Sequence, residues 1–399
     1  MSKIIIKKNP APSGKNRMVI KNSSVGGKLK LFPGSNQVVL MTLDLGGGNY
    51  RSYISNDSGD SYTELSSEFP KLYQYNNFIS FNNRYYYVGD PSTIGGVYYI
   101  WQSNNFGQTW TRDASSSGNV RFSVIKGSRD GKYVLGTSGG WQQDGDVLLS
   151  KDFGQTWTKI FSSDEWFECF VDPEGKNMII GGFYTSVGSK YSSDYGTSWN
   201  NFPEPLTFFK GAMVSGNGNI KVVWEQYEAA TGLGARIYVS NDWNNWTQNN
   251  LTVRLSRGAI SEDGKYILVA SSDGFNGPEP YINLSSDYGV SWSKIDITGG
   301  VPKYWGDVAM SFDGKYMIVT PGYKEGYPGY VYKSVDYGKT WEKEESIPSA
   351  IFYQARMSKS GRYVYLACRN GGIFHSKDYM NTWVRQYDSN ICVGVFINF

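Results

Sequence analysis

Between residues 307 and 346 the chain alternates four short apolar runs with polar breaks. Residues 308–312 and 316–320 flank an Asp313-Gly314 pair. Residues 330–333 follow a longer polar stretch, and residues 341–345 follow a polar octapeptide. Runs of this length, broken by Asp-Gly, read as strands A, B, C and D of one antiparallel meander. No sustained apolar run has helical spacing, so the fold is expected to be all-β.

The octapeptide is the element that repeats. Ser334-Val335-Asp336-Tyr337-Gly338-Lys339-Thr340-Trp341 returns at 150–157, 192–199 and 285–292, with weaker copies at 55–62, 103–110, 240–246 and 376–383. Its acidic or amide position falls at 57, 105, 152, 194, 242, 287, 336 and 378, a period of one supersecondary unit. Asp can accept hydrogen bonds from loop N–H groups just after it, Gly supplies a positive φ, and Thr or Ser closes the loop. The Trp opens strand D and is expected to bury a large ring. A second turn, of the type Ser-x-Asp-Gly-Lys-Tyr, precedes the octapeptides at 128–133, 261–266 and 311–316, with looser copies elsewhere.

The octapeptide resembles the Asp box, or BNR repeat, of the sialidase-like β-propellers. The resemblance implies a ring of four-stranded blades with the box at each C–D turn, away from any ligand site. Eight boxes and eight preceding turns imply eight blades. Two segments compete for the innermost strand of the first blade, residues 28–32 and the apolar residues 390–399. The more apolar C-terminal run is the one expected there, because it ties the ends of the ring together and hides a sheet edge. The propeller is thus expected over 28–399 and an arm outside the repeat over 1–27. The fifth box lacks one residue and the Gly, and the eighth has Met380 in place of Gly, so both are expected to follow a different backbone path from the copy at Ser334.

Composition agrees with many short strands and tight turns: aromatics are 16% of the chain and Gly numbers 47. A net charge of +3, with no basic run inside the repeats, is no nucleic-acid signature. No apolar run has transmembrane length and the N-terminus carries no secretory pattern, so neither membrane insertion nor secretion is expected. Cys169, Cys368 and Cys392 lie in apolar strand-like runs, which favours buried free thiols and gives no metal spacing. No cofactor motif is present. The arm carries Lys3, Lys7, Lys8, Lys15, Arg17 and Lys21 and reads either as a loosely held tail or as an anchor for a docking partner. The polar, Gly/Asn/Tyr-rich composition and basic arm would also suit a component of a virus or phage particle.

Chemistry is expected on the face of the B–C loops, which vary in length, and not on the face of the repeated turns. Those loops offer Trp141, Asp144, Tyr227, Phe275, Tyr323 and Tyr327 as aromatic platforms and acceptors for a glycan or a protein surface. Solvated loops without a ligand are the alternative reading. Arg121, Arg257 and Arg356 lie in or beside expected strands A, facing the channel, where they would suit an anionic ligand or pair with neighbouring carboxylates. Sialidases need an arginine triad, a Tyr–Glu nucleophile pair and an Asp acid/base. The family's N-terminal Arg-Ile-Pro motif is absent and no Tyr–Glu pair can be matched. The leading expectation is therefore a non-catalytic binding or scaffold propeller, and a sialidase-like glycoside hydrolase is the alternative. His375, the only histidine, falls in a strand C with no nucleophile motif beside it.

Overall fold

The computed structural model describes residues 5–10, 16–21, 37–45, 49–65, 77–80, 84–89, 99–115, 122–139, 145–164, 166–182, 188–203, 206, 209, 211–225, 236–251, 255, 257–270, 280–322, 328–369, 371–387 and 391–397. The chain divides into a unit of residues 1–36 and a unit of residues 37–399. In the first, Ile5–Pro10 pairs antiparallel with Asn16–Lys21. The competing segment 28–32 lies outside the described residues.

The second unit is built from eight four-stranded antiparallel sheets, and the described residues contain no helix. Seven blades are continuous in sequence, at 77–115, 122–164, 166–201, 211–250, 257–296, 305–343 and 352–386, which we number 2 to 8. Blade 1 takes its strands B, C and D from Val39–Asp44, Tyr50–Ser55 and Thr63–Glu64, and its strand A from Ile391–Ile397 at the other end of the chain. Each strand A touches the strand A of the next blade, and Ile391–Ile397 touches both Phe352–Met357 and Asn77–Ile79, so the ring is closed.

Burial is highest in the B strands and lowest in the outer D strands, which explains their composition; the inner strand Arg257–Ile260 is half-buried throughout. The B strands, such as Ile267–Ala270 and Met317–Pro321, are buried at every residue because blades pack against both of their faces. The D strands are short and exposed, as at Thr63–Glu64, Asn200–Asn201 and Thr247–Asn250. A short polar edge cannot template further strand pairing, which a ring with eight outer edges must avoid. The apolar core lies between blades. One cluster joins Leu135 and Val147 of blade 3 to Trp166 and Met178 of blade 4, and another joins Val39 and Met41 to Tyr365, Cys392 and Val395 across the closure. All three cysteines are buried thiols outside any disulfide.

The octapeptide turns are hydrogen-bonded locally. In the copy at Ser334, Asp336 Oδ1 accepts from Thr340 N at 2.9 Å and Oδ2 from Thr340 Oγ1 at 2.6 Å. Ser334 Oγ accepts from Gly338 N at 3.0 Å, and Trp341 Nε1 donates to Gly338 O at 3.1 Å. Two successive residues are left-handed, Tyr337 (φ 66°) and Gly338 (φ 76°), where the sequence pointed only to the glycine. The tryptophan rings are half-buried and not fully enclosed.

Of the two irregular copies, only the fifth changes course. Asp242 there gathers Asn244 N, Asn245 N and Asn245 Nδ2 in a turn one residue shorter. The eighth keeps the path of the Ser334 copy: Met380 has φ 65°, Met380 N donates to Ser376 Oγ at 3.0 Å, and Thr382 N donates to Asp378 Oδ1 at 2.9 Å. A left-handed non-glycine residue costs about 1–2 kcal/mol. Met380 is fully buried in the blade 8 cluster, which returns about 1.5–3 kcal/mol, so burial wins.

The two turn types share one face and stitch neighbours together. Tyr337 N donates to Lys315 O at 3.1 Å within blade 7. Between blades, the Tyr266 ring stacks on Tyr337 with centroids 5.3 Å apart, and Tyr316 meets Tyr379 at 5.1 Å. Gly175 shows why glycine recurs in the A–B turns: its φ is 78° and a Cβ there would lie 2.3 Å from the Tyr133 ring of the preceding blade. Because the bonds to Asp336 are solvent-exposed, Asp336→Ala is expected to cost about 1 kcal/mol, the lower part of the range for leaving loop N–H groups unpaired. Urea titration checks this, and a loss above about 3 kcal/mol would show a role beyond the turn.

Candidate functional site

Trp141, Asp144, Tyr227, Phe275, Tyr323, Tyr327 and Arg121 lie outside the described residues. Arg257 and Arg356 are described, and the fold brings them to one carboxylate. Arg257 opens strand A of blade 6 (Arg257–Ile260), Asp307 lies in strand A of blade 7 (Trp305–Met310), and Arg356 in strand A of blade 8 (Phe352–Met357). Arg356 Nη1 donates to Asp307 Oδ2 at 2.8 Å, and Arg257 Nε stands 3.9 Å from Oδ1. Asp307 also accepts from Ala355 N at 3.1 Å and Val308 N at 3.0 Å. The carboxylate is thus a shared acceptor that ties blade 7 to blade 8, and Arg356 is engaged by it.

The sequence reasoning missed Asp307, Lys126 and Glu168, which complete the ionic lining of the inner strands. A single charged residue inside an apolar strand A was the available signal. Lys126 lies in Phe122–Gly127 and Glu168 in Trp166–Val171, the inner strands of blades 3 and 4. Burial pushes the Glu168 carboxyl up to about 7, against the opposing charge of Lys126 and a hydrogen bond from Cys169 N. Burial likewise lowers Lys126, against the charge of Glu168. A carboxyl with such a value can hold or release a proton near neutrality.

Two acidic residues that border B–C connections, Asp146 and Glu225, are held within their own blades. Asp146 pairs with Lys159 at 3.1 Å, and Glu225 pairs with Arg236 and accepts from the Tyr238 hydroxyl at 3.1 Å. Among the described residues, no group of three His, Cys, Asp or Glu side chains could hold a metal ion. No helix among the described residues is long and apolar enough to cross a membrane.

His375 is buried in strand C of blade 8. Burial, then the charge of Lys377, pushes its imidazole down to about 4. The turn aspartates are lowered too: Asp194 to about 2 by the hydroxyl and N–H of Ser198, and Asp242 to about 2 by Asn245.

These groups set an acid profile. His375 and the aspartates, depressed in the fold, stabilise it above their ordinary values and lose that contribution as pH falls. Glu168, raised in the fold, stabilises it below the ordinary carboxylate range and loses that contribution as pH rises toward 7. Between about pH 4.5 and 6.5 His375 and Glu168 oppose each other. The expected result is a near plateau in urea midpoint there, then a steep fall between about 4 and 2 as several aspartates protonate. Glu168→Gln should uncover a decline beginning near 6.5, and an unchanged plateau in that variant would refute the assignment.

No family model and no curated protein matches the chain. Solved structures of similar fold include dihydro-heme d1 dehydrogenase NirN in complex with DHE, with TM-score 0.64 and 10% identity over 92% of this chain and 76% of that one. YCF48 from Cyanidioschyzon merolae has TM-score 0.51 and 14% identity over 76% of this chain and 95% of that one. A chain of the mitotic checkpoint complex has TM-score 0.53 and 12% identity over 78% and 92%. At such identities the likeness carries the fold alone. The protein is an eight-bladed β-propeller.

Proposed function

We propose that this propeller is a non-catalytic interaction scaffold that recognises a protein surface through its B–C loop face. The observation that carries the reading is the contrast between the two faces. On one, the turn residues are hydrogen-bonded to each other and to the next turn in the blade, as Asp336 is to Thr340 and Tyr337 to Lys315. On the other, the connections differ in length and composition from blade to blade, which is how repeat scaffolds carry recognition. The fold is also one found in a multi-protein assembly, the mitotic checkpoint complex.

Finer parts of the proposal are that the octapeptides are Asp boxes of the sialidase-like superfamily, and that Trp141, Asp144, Tyr227, Phe275, Tyr323 and Tyr327 form the contact surface. Residues 1–27 serve as a docking arm, and a glycan ligand or a place in a virus or phage particle would follow the same chemistry of aromatic plates over polar acceptors. The test is cross-linking to candidate partners and a glycan array, using wild type, Trp141→Ala/Tyr323→Ala, Arg356→Ala and a chain lacking 1–27. Loss in the aromatic double variant supports the loop face. Binding that survives it and vanishes with the arm would move the function to residues 1–27.

A second reading, glycoside hydrolysis, is favoured by Glu168 alone, whose carboxyl burial pushes up to about 7, the range that suits a general acid. Hydrolysis abolished by Glu168→Gln would establish it, and inactivity toward a broad panel of aryl glycosides would remove it.

A further inference from the structure

We infer that a groove at the junction of blades 7 and 8 anchors an extended peptide of a partner protein through an aliphatic side chain next to a carboxylate. This rests on the protein-recognition reading and gives it a site and a chemistry. The groove has a volume of about 280 Å³. Its walls are Pro328, Pro348, Ile351 and Phe374, and Ser349, Cys368 and Arg385 are among the other residues that line it. These residues come from the end of the blade 7 B–C connection, the link between the blades, and strands B, C and D of blade 8. None belongs to the aromatic set read from the sequence.

Three features select the occupant. The groove is preformed. Gly329 and Ala350 exchange two backbone hydrogen bonds, of 3.0 and 2.9 Å, and Arg369 N donates to Ile351 O at 2.9 Å. A rigid wall spares a ligand the cost of ordering it. Second, the lining is mostly apolar and the volume lies just below the usual range for ligand sites, so it suits one or two side chains. A sugar would need several convergent polar groups, and besides Arg385 this lining offers only the Ser349 hydroxyl and the Cys368 thiol.

The third feature is Arg385, the one charged residue of the lining. Strand pairing sets it opposite Phe374, and its guanidinium carbon lies 5.4 Å from that ring's centroid. Arg385 Nε donates to Gly371 O at 3.0 Å. An exposed guanidinium held by a ring and a carbonyl loses little freedom on meeting a carboxylate, which it matches geometrically. An aliphatic side chain in the groove places the neighbouring residue's carboxylate, or a chain-terminal one, over Arg385.

The test uses an array of 12-residue peptides, each in a C-terminally amidated and a free-acid form, probed with full-length wild type, Arg385→Glu and Ser349→Trp. Both substitutions are at exposed positions, and circular dichroism checks that each variant is folded. Wild type should retain peptides that place Leu, Ile, Val or Pro within two positions of Asp, Glu or a free C-terminus. The amidated arm separates side-chain from terminal carboxylates. By fluorescence anisotropy, Arg385→Glu should weaken those peptides at least about tenfold, as expected for a lost charge-assisted contact. Ser349→Trp should weaken them by filling the groove. Retained peptides lacking the pair, or equal binding by Arg385→Glu, would overturn the inference. Peptides lost only in Trp141→Ala/Tyr323→Ala would overturn the groove and leave the loop face standing, whereas glycan binding without peptide binding would overturn the groove and the protein-surface reading together.

Discussion

Removing residues 391–399 is expected to unfold the propeller and not merely shorten it. Strand Ile391–Ile397 is the inner strand of blade 1 and pairs with Val39–Asp44 along its length. Cys392 and Val395 are fully buried and Ile397 nearly so, and Val395 N donates to the buried Gln354 Oε1 of blade 8 at 2.8 Å. Burying each such side chain contributes about 1.5–3 kcal/mol, so three reach the scale of a whole domain's stability, about 5–15 kcal/mol. The deletion also strips a buried strand of its partner and opens a sticky edge inside the ring. Near-ultraviolet circular dichroism and limited proteolysis would read the outcome. Val395→Asp is a milder variant that should lower the melting temperature sharply. A truncated chain that melts cooperatively at the wild-type temperature would refute the closure.

Asp307→Ala should be the most damaging single substitution of a charged residue among the inner strands, costing about 3 kcal/mol or more, as expected when one member of a buried ion pair is removed. Asp307 is 9% exposed and Arg356 14%, so neither charge is well hydrated when its partner goes. Two buried N–H groups, of Ala355 and Val308, lose their acceptor as well. Arg257, longer in contact and 26% exposed, should contribute much less. The Asp307→Ala/Arg356→Met double variant should recover part of the loss, because an apolar side chain tolerates that site better than an unpaired cation. A single-variant cost below about 1 kcal/mol would show that water in the channel replaces the carboxylate.

What the sequence determined by itself is what short-range interactions encode. The bonds within the octapeptide span four residues or fewer, from Ser334 to Gly338 and Asp336 to Thr340. A local motif can therefore be read without knowing its neighbours. The same holds for the A–B turns, where Ser311 Oγ takes Tyr316 N at 2.9 Å. Strand order within a blade follows from the hairpins. The number of blades and the choice of the C-terminal run for ring closure followed from counting repeats and comparing apolarity.

The tertiary structure alone decided three things. Met380 adopts the glycine path because its side chain is buried in a cluster drawn from blades 7 and 8, and the eight residues of its own turn do not reveal that. Arg257 and Arg356 converge on Asp307 because consecutive inner strands lie side by side around an axis. Those partners are 50 and 49 residues apart in sequence, beyond any periodicity of a single strand. The groove at Phe374 and Arg385 is assembled from five separate stretches whose own patterns are ordinary strand and loop. Local hydrogen bonding writes the turns into the sequence, whereas burial and charge pairing across blades depend on which residues the closed ring brings together.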